Sequence, residues 1–151
     1  KYYKNVQSQN NIMKKQDKGN KILIIQGPNM NLLGHRYKET KTKITLDRVN
    51  ACLRKEAKKR QLQLAIIQTN DESRAATVLQ KYRNKIFCIL LFPGPWQQSG
   101  HVLKDTLELL KIPYITISLG EKVTLLKGID NIEGDILKAC ETAIEQLTQS
   151  I

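Results

Sequence analysis

The sequence predicts an α/β protein in which helices cover both faces of a parallel sheet. Apolar runs typical of buried strands alternate with segments of helical periodicity, and this alternation builds parallel sheets through right-handed βαβ crossovers. Aromatic residues make up only 5% of the chain, so an aromatic-rich β barrel fits the composition less well. A chain of 151 residues is long enough for one domain with its own core. We expect a three-layer sandwich with about five strands.

The first strand and the loop after it are the most informative stretch. Residues 22–26 form an almost continuous run of β-branched and aliphatic side chains, as expected for a strand buried on both faces. Turn-forming residues follow directly: Gly27, Pro28, Asn29, Asn31 and Gly34. Ligands of open α/β sheets bind outside the carboxyl ends of the strands. The stretch therefore predicts a site loop, with a plain β-to-α turn as the alternative.

The remaining elements follow in order along the chain. Further strands are expected at 62–69, 86–92, 114–119 and, as a short fifth strand, 121–126. Three helices are expected to begin at the N-cap candidates Thr45, Asp71 or Ser73, and Ser99. The helix from Asp71 or Ser73 should run to residue 85, and a last helix should cover 132–149. Residues 1–20 are expected to be a polar N-terminal extension of the domain at 21–151.

The positive charge is concentrated in the first part of the chain. Residues 1–60 hold 16 Lys and Arg against 4 Asp and Glu, a net charge of +12, whereas residues 61–151 hold 9 against 10, a net charge of −1. A localised basic region favours contact with a polyanion, with ordinary solubility charge as the alternative. The candidates for such a contact are Lys14, Lys15, Arg48, Arg54, Lys55, Lys58 and Lys59.

The cysteines and histidines do not form a metal motif. Three cysteines stand far apart in the sequence, and neither His35 nor His101 has a partner at metal-ligand spacing. We therefore predict no metal site and small buried thiols in a reduced intracellular compartment. No apolar run is long enough to span a membrane.

Four segments together resemble type II 3-dehydroquinate dehydratase. They are GPNMNLLGHR after the first strand, ITLDRVN at the start of the next helix, QTNDE after the second strand and FPGPWQQSGHVLKDTL after the third. The resemblance covers about residues 21–119 and implies a flavodoxin-like fold in trimers that assemble into dodecamers. It also implies elimination of water from 3-dehydroquinate through an enolate, without a metal or a cofactor.

The resemblance assigns the two proton-transfer roles to positions that have changed. The family's base is a tyrosine after the first strand, and its acid is a histidine after the third strand. These positions hold Lys41 and Gln98 here. Lysine needs desolvation to act as a base, and glutamine has no titratable proton. We therefore expect no catalytic residue at these two degenerate positions.

Some binding positions have also changed, whereas others are retained. Phe92 stands where the family has a substrate-binding asparagine, and Thr116 and Ser118 replace a glutamate and a histidine. Asn29 and Arg36 are retained. The predicted ligand contacts are accordingly Asn29, Arg36 and main-chain groups near Ser118.

The interpretation that follows is a non-catalytic relative serving as a structural or binding subunit. Its partners would be other proteins of a larger assembly, and RNA if that assembly is an organellar ribosome, with no membrane insertion. The mitochondrial matrix and the cytoplasm are the two compartments considered, and a homo-oligomer of the family type stays open. Two alternatives remain: an active or weakly active 3-dehydroquinate dehydratase, and a small carboxylate-binding sensor.

Overall fold

A parallel sheet of five strands forms the middle layer of the protein. The computed structural model describes residues 19–36 and 43–149, and in this part the strand order is β2-β1-β3-β4-β5, with every pairing parallel. This order is that of flavodoxin-like folds, and the predicted fold class is confirmed. The strands are β1 Lys21–Gln26, β2 Gln63–Gln68, β3 Cys88–Phe92, β4 Tyr114–Ile117 and β5 Asp130–Ile132.

Helices cover both faces of this sheet. A 3-10 turn, Met30–Leu32, leads from β1 into the first short helix. The helices are α1 Leu33–Arg36, α2 Leu46–Lys59, α3 Glu72–Tyr82, α4 Trp96–Ser99, α5 His101–Leu110 and α6 Ile136–Gln149. Helices α2 and α6 pack against each other on one face of the sheet, and α3 and α5 pack on the other.

The central strands are buried on both faces, as their composition predicts. Ile22 and Ile24 of β1 join the hydrophobic cluster under α2 and α6, whereas Leu23 and Ile25 join the cluster under α3 and α5. Successive side chains of a strand point to opposite faces, so an unbroken aliphatic run serves two cores at once. Trp96 is 3% exposed and belongs to the second cluster, so it is a core residue.

Two of the predicted N-caps are confirmed and one is wrong. The Thr45 hydroxyl accepts a hydrogen bond from the Arg48 amide, and Asp71 accepts one from the Ser73 amide. Ser99, in contrast, is the last residue of α4, and Gly100 precedes α5. A side chain at Gly100 would place its Cβ 2.7 Å from the Trp96 carbonyl oxygen, so the tight α4–α5 junction requires glycine.

The predicted fifth strand at 121–126 is also wrong. The amides of Thr124, Leu125 and Leu126 donate to the side-chain oxygen of Gln97 rather than to a neighbouring strand. The sheet is completed later in the chain by β5, which pairs with β4. The last helix begins at residue 136 instead of 132 for the same reason, because 130–132 are used as a strand.

Several predictions lie outside the described residues. They concern the N-terminal extension, including Lys14 and Lys15, and the degenerate base position Lys41. The division into an extension at 1–20 and a domain at 21–151 therefore stays a prediction. Within residues 19–36 and 43–149, no helix is both long and apolar enough to cross a membrane.

Candidate functional site

A narrow cleft lies at the carboxyl ends of β1, β3 and β4. Strands β1 and β3 are neighbours from which the chain continues to opposite sides of the sheet, and ligands of such sheets bind at this switch point. Side chains and backbone from the three strand ends line the cleft: Pro28, Asn29, Met30, Leu33, Arg36, Phe92, Gly94, Ile117, Leu119 and Glu121. Of the three predicted ligand residues, Asn29 and Arg36 are among them.

The loop after β1 is held rigidly in place. The Gly27 amide donates to the Phe92 carbonyl oxygen at 2.9 Å, and a Cβ at Gly27 would lie 2.6 Å from that same atom. Asn29 adopts a left-handed backbone conformation, with φ of 67°, and its amide donates to the Asn70 side chain at 3.0 Å. Asparagine tolerates this conformation better than most residues do. The glycine and asparagine of the motif therefore shape the loop.

Arg36 connects the two sides of the cleft. Its Nη1 donates to the Leu119 carbonyl oxygen at 2.9 Å, which ties the loop after β1 to the end of β4. A guanidinium has five N–H donors in a planar fork, and among the described residues Arg36 uses one of them, so it has donors to offer an anionic ligand. The Arg36 residue is exposed, so its charge is accessible from solvent.

Glu121 places a carboxylate inside the cleft. Its Oε2 accepts a hydrogen bond from the Leu119 amide at 2.9 Å. Its Oε1 is buried and has no hydrogen-bond partner among residues 19–36 and 43–149, an arrangement that ordinarily costs about 1–3 kcal/mol. The space left between the lining side chains is about 20 Å³, room for roughly one water molecule. A six-membered ring therefore enters only after these side chains move.

Gln97 fixes the segment that carries Glu121. Its Oε1 accepts from the amides of Thr124, Leu125 and Leu126 at 3.3, 3.1 and 2.8 Å, and its Nε2 donates to the Leu126 carbonyl oxygen at 3.0 Å. Gln97 is 1% exposed. One buried amide side chain thus supplies the partners that a strand would otherwise give to this segment.

The altered family positions take up structural roles. Gln98 is exposed and does not line the cleft, and Phe92 contributes an apolar wall. The Ser118 hydroxyl donates to Asn131 at 2.9 Å, and its amide donates to the Ile132 carbonyl oxygen. The hydroxyl and the amide of Ser118 are thus engaged with β5. Its role in ligand binding stays a prediction.

The thiols have the chemistry of core residues. Burial raises the pKa of Cys88 to about 12 and also raises the pKa of Cys140. Both stay protonated at neutral pH, and a protonated buried thiol is a poor nucleophile. Cys52, which is half-buried on α2, has a pKa raised by burial as well. In the part of the chain that is described, no three His, Cys, Asp or Glu side chains come together as a metal site.

The basic residues of α2 share an exposed surface. Arg48, Arg54, Lys55, Lys58 and Lys59 are all exposed. Two of them have intramolecular partners, because Arg48 donates to the Lys43 carbonyl oxygen and Lys59 pairs with Glu56 at 3.1 Å. Their contact with a polyanion stays a prediction.

Comparison with known proteins identifies the family. A sequence profile described as "Dehydroquinase class II" matches residues 20–125. The 3-dehydroquinate dehydratase of Roseiflexus castenholzii is 37% identical over 99 residues, which cover 66% of this chain and 63% of that protein. The chain belongs to the class II dehydroquinase family. Its match to the dehydratase of Buchnera aphidicola, 34% identical, covers 68% of this chain and 67% of the relative.

Solved class II dehydroquinases share the fold. The type II dehydroquinase from Butyrivibrio crossotus has a TM-score of 0.73 at 22% identity, covering 84% of this chain and 96% of that one. The enzyme from Propionibacterium acnes also has a TM-score of 0.73 at 22% identity, covering 87% and 97%. At this identity the likeness supports the flavodoxin-like fold and nothing further.

These relatives correct the interpretation as a non-catalytic subunit. The matching curated proteins are named 3-dehydroquinate dehydratase, and none of the findings supports a ribosomal, RNA-binding or mitochondrial role. That interpretation rests on altered family positions (Lys41, Gln98, Phe92, Thr116 and Ser118) and on the basic first 60 residues, and neither observation establishes inactivity. A changed side chain shows that one functional group has been lost. It does not show that the protein is inactive.

The sequence did not reveal Glu121, which lines the cleft, or Gln97, which anchors the segment that follows it. Glu121 follows β4 in a stretch predicted as a strand, and its carboxylate reaches the cleft only because 119–121 turn instead. Gln97 stands next to the degenerate position Gln98 and has no motif of its own. The Gly120-Glu121 pair was the available signal, because glycine after an apolar strand marks a turn.

Proposed function

We propose that the chain is a 3-dehydroquinate dehydratase, a lyase that eliminates water from a cyclic hydroxyketone carrying a carboxylate. The observation that carries the proposal is its 37% identity with a relative of that name, over a profile match that includes both retained polar residues of the cleft. The matched segment covers 63% of the length of that relative. The proposal therefore concerns the activity of this chain by itself.

The chemistry requires a positive group near the developing enolate. Elimination next to a ketone removes a proton from the adjacent carbon and leaves negative charge on oxygen, while the departing hydroxyl takes up a proton. Arg36 supplies a permanent positive charge at the mouth of the cleft, and the side-chain amide of Asn29 supplies neutral donors from the same lining. We assign binding and charge stabilisation to these two residues.

Proton transfer is the less complete part of the site. Lys41 is the candidate base on its position in the sequence alone, by resemblance to the family. Gln98 has no proton to give, so the leaving hydroxyl is protonated by another group or by water. Because a positioned general acid contributes about 10²–10⁴ in rate, we expect turnover slower by about that factor than in a relative that keeps the histidine.

Direct measurement of dehydroquinate turnover tests the proposal. The chain is purified from a host whose own dehydratase has been deleted, and formation of the conjugated product is followed by ultraviolet absorbance. The Roseiflexus castenholzii enzyme serves as a standard over about a 10⁴-fold dilution series. Turnover above the detection limit set by the highest dilution supports the proposal, and a rate equal to that of buffer contradicts it.

We further propose that the enzyme forms a homo-oligomer in a reducing intracellular setting. The resemblance to the family supports the homo-oligomer. Three free cysteines, two of them buried, fit a reducing intracellular compartment. Sedimentation velocity of the purified chain distinguishes an oligomer from a monomer.

A further inference from the structure

We propose that Glu121 is a specificity-determining residue, an internal carboxylate that occupies the cleft of the free protein and competes with the carboxylate of an anionic ligand. The proposal rests on the proposed function for the nature of that ligand, a small hydroxylated ring carboxylate. It concerns binding, and its test is independent of turnover.

The first observation is the partner that Glu121 takes. Strand β4 ends its pairing at Ser118, whose amide donates to the Ile132 carbonyl oxygen. The next amide, that of Leu119, has no strand beside it and donates to Glu121 Oε2 at 2.9 Å. A main-chain amide at the end of a strand, facing a cleft, is a natural position for a carboxylate oxygen. In this chain the carboxylate of Glu121 occupies that position.

The second observation is that the internal carboxylate is only half satisfied. Within the described part of the chain, Glu121 Oε1 is buried without a hydrogen-bond partner, although Arg36 lines the same cleft. The Arg36 Nη1 donates instead to the Leu119 carbonyl oxygen. The two ion pairs found within the described residues, Lys59–Glu56 and Lys104–Glu108, lie elsewhere. A ligand carboxylate that reached both the Leu119 amide and Arg36 would satisfy both of its oxygens.

The third observation is the space that remains. About 20 Å³ is left in the cleft, so a ring carboxylate and the Glu121 side chain cannot occupy it together. The Gln97 side chain holds residues 124–126 in place, whereas Gly120 has a φ of +105° and open space around it. The cleft therefore opens if Glu121 turns outward about Gly120, and residues 124–126 can stay in place.

The consequence is a lowered affinity for carboxylates. When only a fraction of the protein is in the binding-competent form, the apparent association constant equals the intrinsic constant multiplied by that fraction. Removing the charge of Glu121 weakens its hold on the Leu119 amide and ends its repulsion of an incoming anion. Glu121→Gln keeps the size and shape of the side chain, so its effect isolates the charge.

Calorimetric titration with quinate tests this, because quinate carries the carboxylate but does not undergo the elimination. We expect Glu121→Gln to bind quinate about tenfold more tightly than the unmodified chain, and Glu121→Ala at least as tightly as Glu121→Gln. Glu121→Gln should raise the affinity for the uncharged methyl ester of quinate by less than it raises the affinity for quinate, because the ester gains only from the weaker hold on the Leu119 amide. Glu145→Gln, which removes an exposed carboxylate of α6 that does not line the cleft, should change neither affinity. Thermal unfolding checks that each variant is folded.

The outcomes separate this proposal from the proposed function. Tighter quinate binding without dehydratase activity supports the role of Glu121 and contradicts the dehydratase. The role of Glu121 is overturned if the chain turns over dehydroquinate but both Glu121 variants bind quinate with the affinity of the unmodified chain. It is also overturned if none of the three proteins binds quinate. A variant that loses turnover while its quinate affinity stays the same also overturns it, because Glu121 then contacts the reacting atoms.

Discussion

The two sides of the cleft differ in how their shape is held. The loop after β1 keeps the family motif, and its conformation comes from the backbone, through the Gly27 amide on Phe92 and the left-handed Asn29. The segment after β4 lacks the motif, and its conformation comes from one side chain, Gln97, that binds three successive amides. A fixed loop carrying Arg36 therefore faces a separately anchored segment carrying Glu121.

This difference teaches that the two halves of a site can depend on different parts of the sequence. In the loop after β1, Asn29 both shapes the backbone and lines the cleft. In the segment after β4, the residue that shapes the backbone lies more than 20 positions upstream. Substitutions can therefore disturb one half of the cleft while leaving the other intact, and the predictions below use that independence.

The largest effect is expected at Gly128, where the segment after β4 passes close to the start of that strand. A Cβ there would lie 2.1 Å from the Tyr114 carbonyl oxygen, closer than any packing adjustment of a side chain can relieve. We expect Gly128→Ala to lower the free energy of unfolding by about 3 kcal/mol, as measured by urea denaturation.

The matched control lies in the loop after β1. A Cβ at Gly34 would make only an ordinary contact, 3.6 Å from Thr45, and Gly34 lies in helix α1. Gly34→Ala should leave stability unchanged or raise it by up to about 1 kcal/mol. Equal losses in the two variants would contradict the packing described for Gly128.

A smaller effect is expected at Gln97. Gln97→Leu keeps the volume but leaves three amides and the Leu126 carbonyl oxygen without their partner. We expect a loss of about 2 kcal/mol, because the amide of the exposed Thr124 can turn to water whereas the polar groups of the buried Leu126 cannot. Hydrogen exchange should show faster exchange at 124–126, with the amides of β1 unaffected.

The neighbouring residue provides the control for Gln97. Gln98 is exposed, so Gln98→Leu should change the free energy of unfolding by less than about 0.5 kcal/mol. Uniformly faster exchange in both variants would show that Gln97 does not act locally.

Much of the fold could be predicted from the sequence because local signals agree with the packing. The aliphatic run of β1 and the caps Thr45 and Asp71 require no knowledge of distant residues. The fifth strand was misplaced because Val123 and its neighbours have strand-like composition. The backbone of this segment instead forms hydrogen bonds with the Gln97 side chain, a contact that no local sequence pattern predicts.

The cleft could be predicted only in part, for the same physical reason. Asn29 and Arg36 lie in a motif that follows directly from β1, so their position was foreseen. Glu121 enters the cleft through a turn whose geometry depends on β4 ending at Ile117. The role of Ser118 in binding stays a prediction, and its hydrogen bond to Asn131 could not be predicted because it depends on β5, which the sequence placed elsewhere.

The most direct test of the central claim, that this cleft carries a dehydratase activity, is a comparison of kcat/KM for dehydroquinate between two arginine variants. Arg36→Ala removes the positive charge of the cleft, whereas Arg54→Ala removes an exposed charge on α2. We predict that Arg36→Ala lowers kcat/KM by about 10²–10³ and that Arg54→Ala leaves it within about twofold of the unmodified chain. Equal activity of the Arg36 variant and the unmodified chain would show that the reaction occurs elsewhere, and would contradict the account.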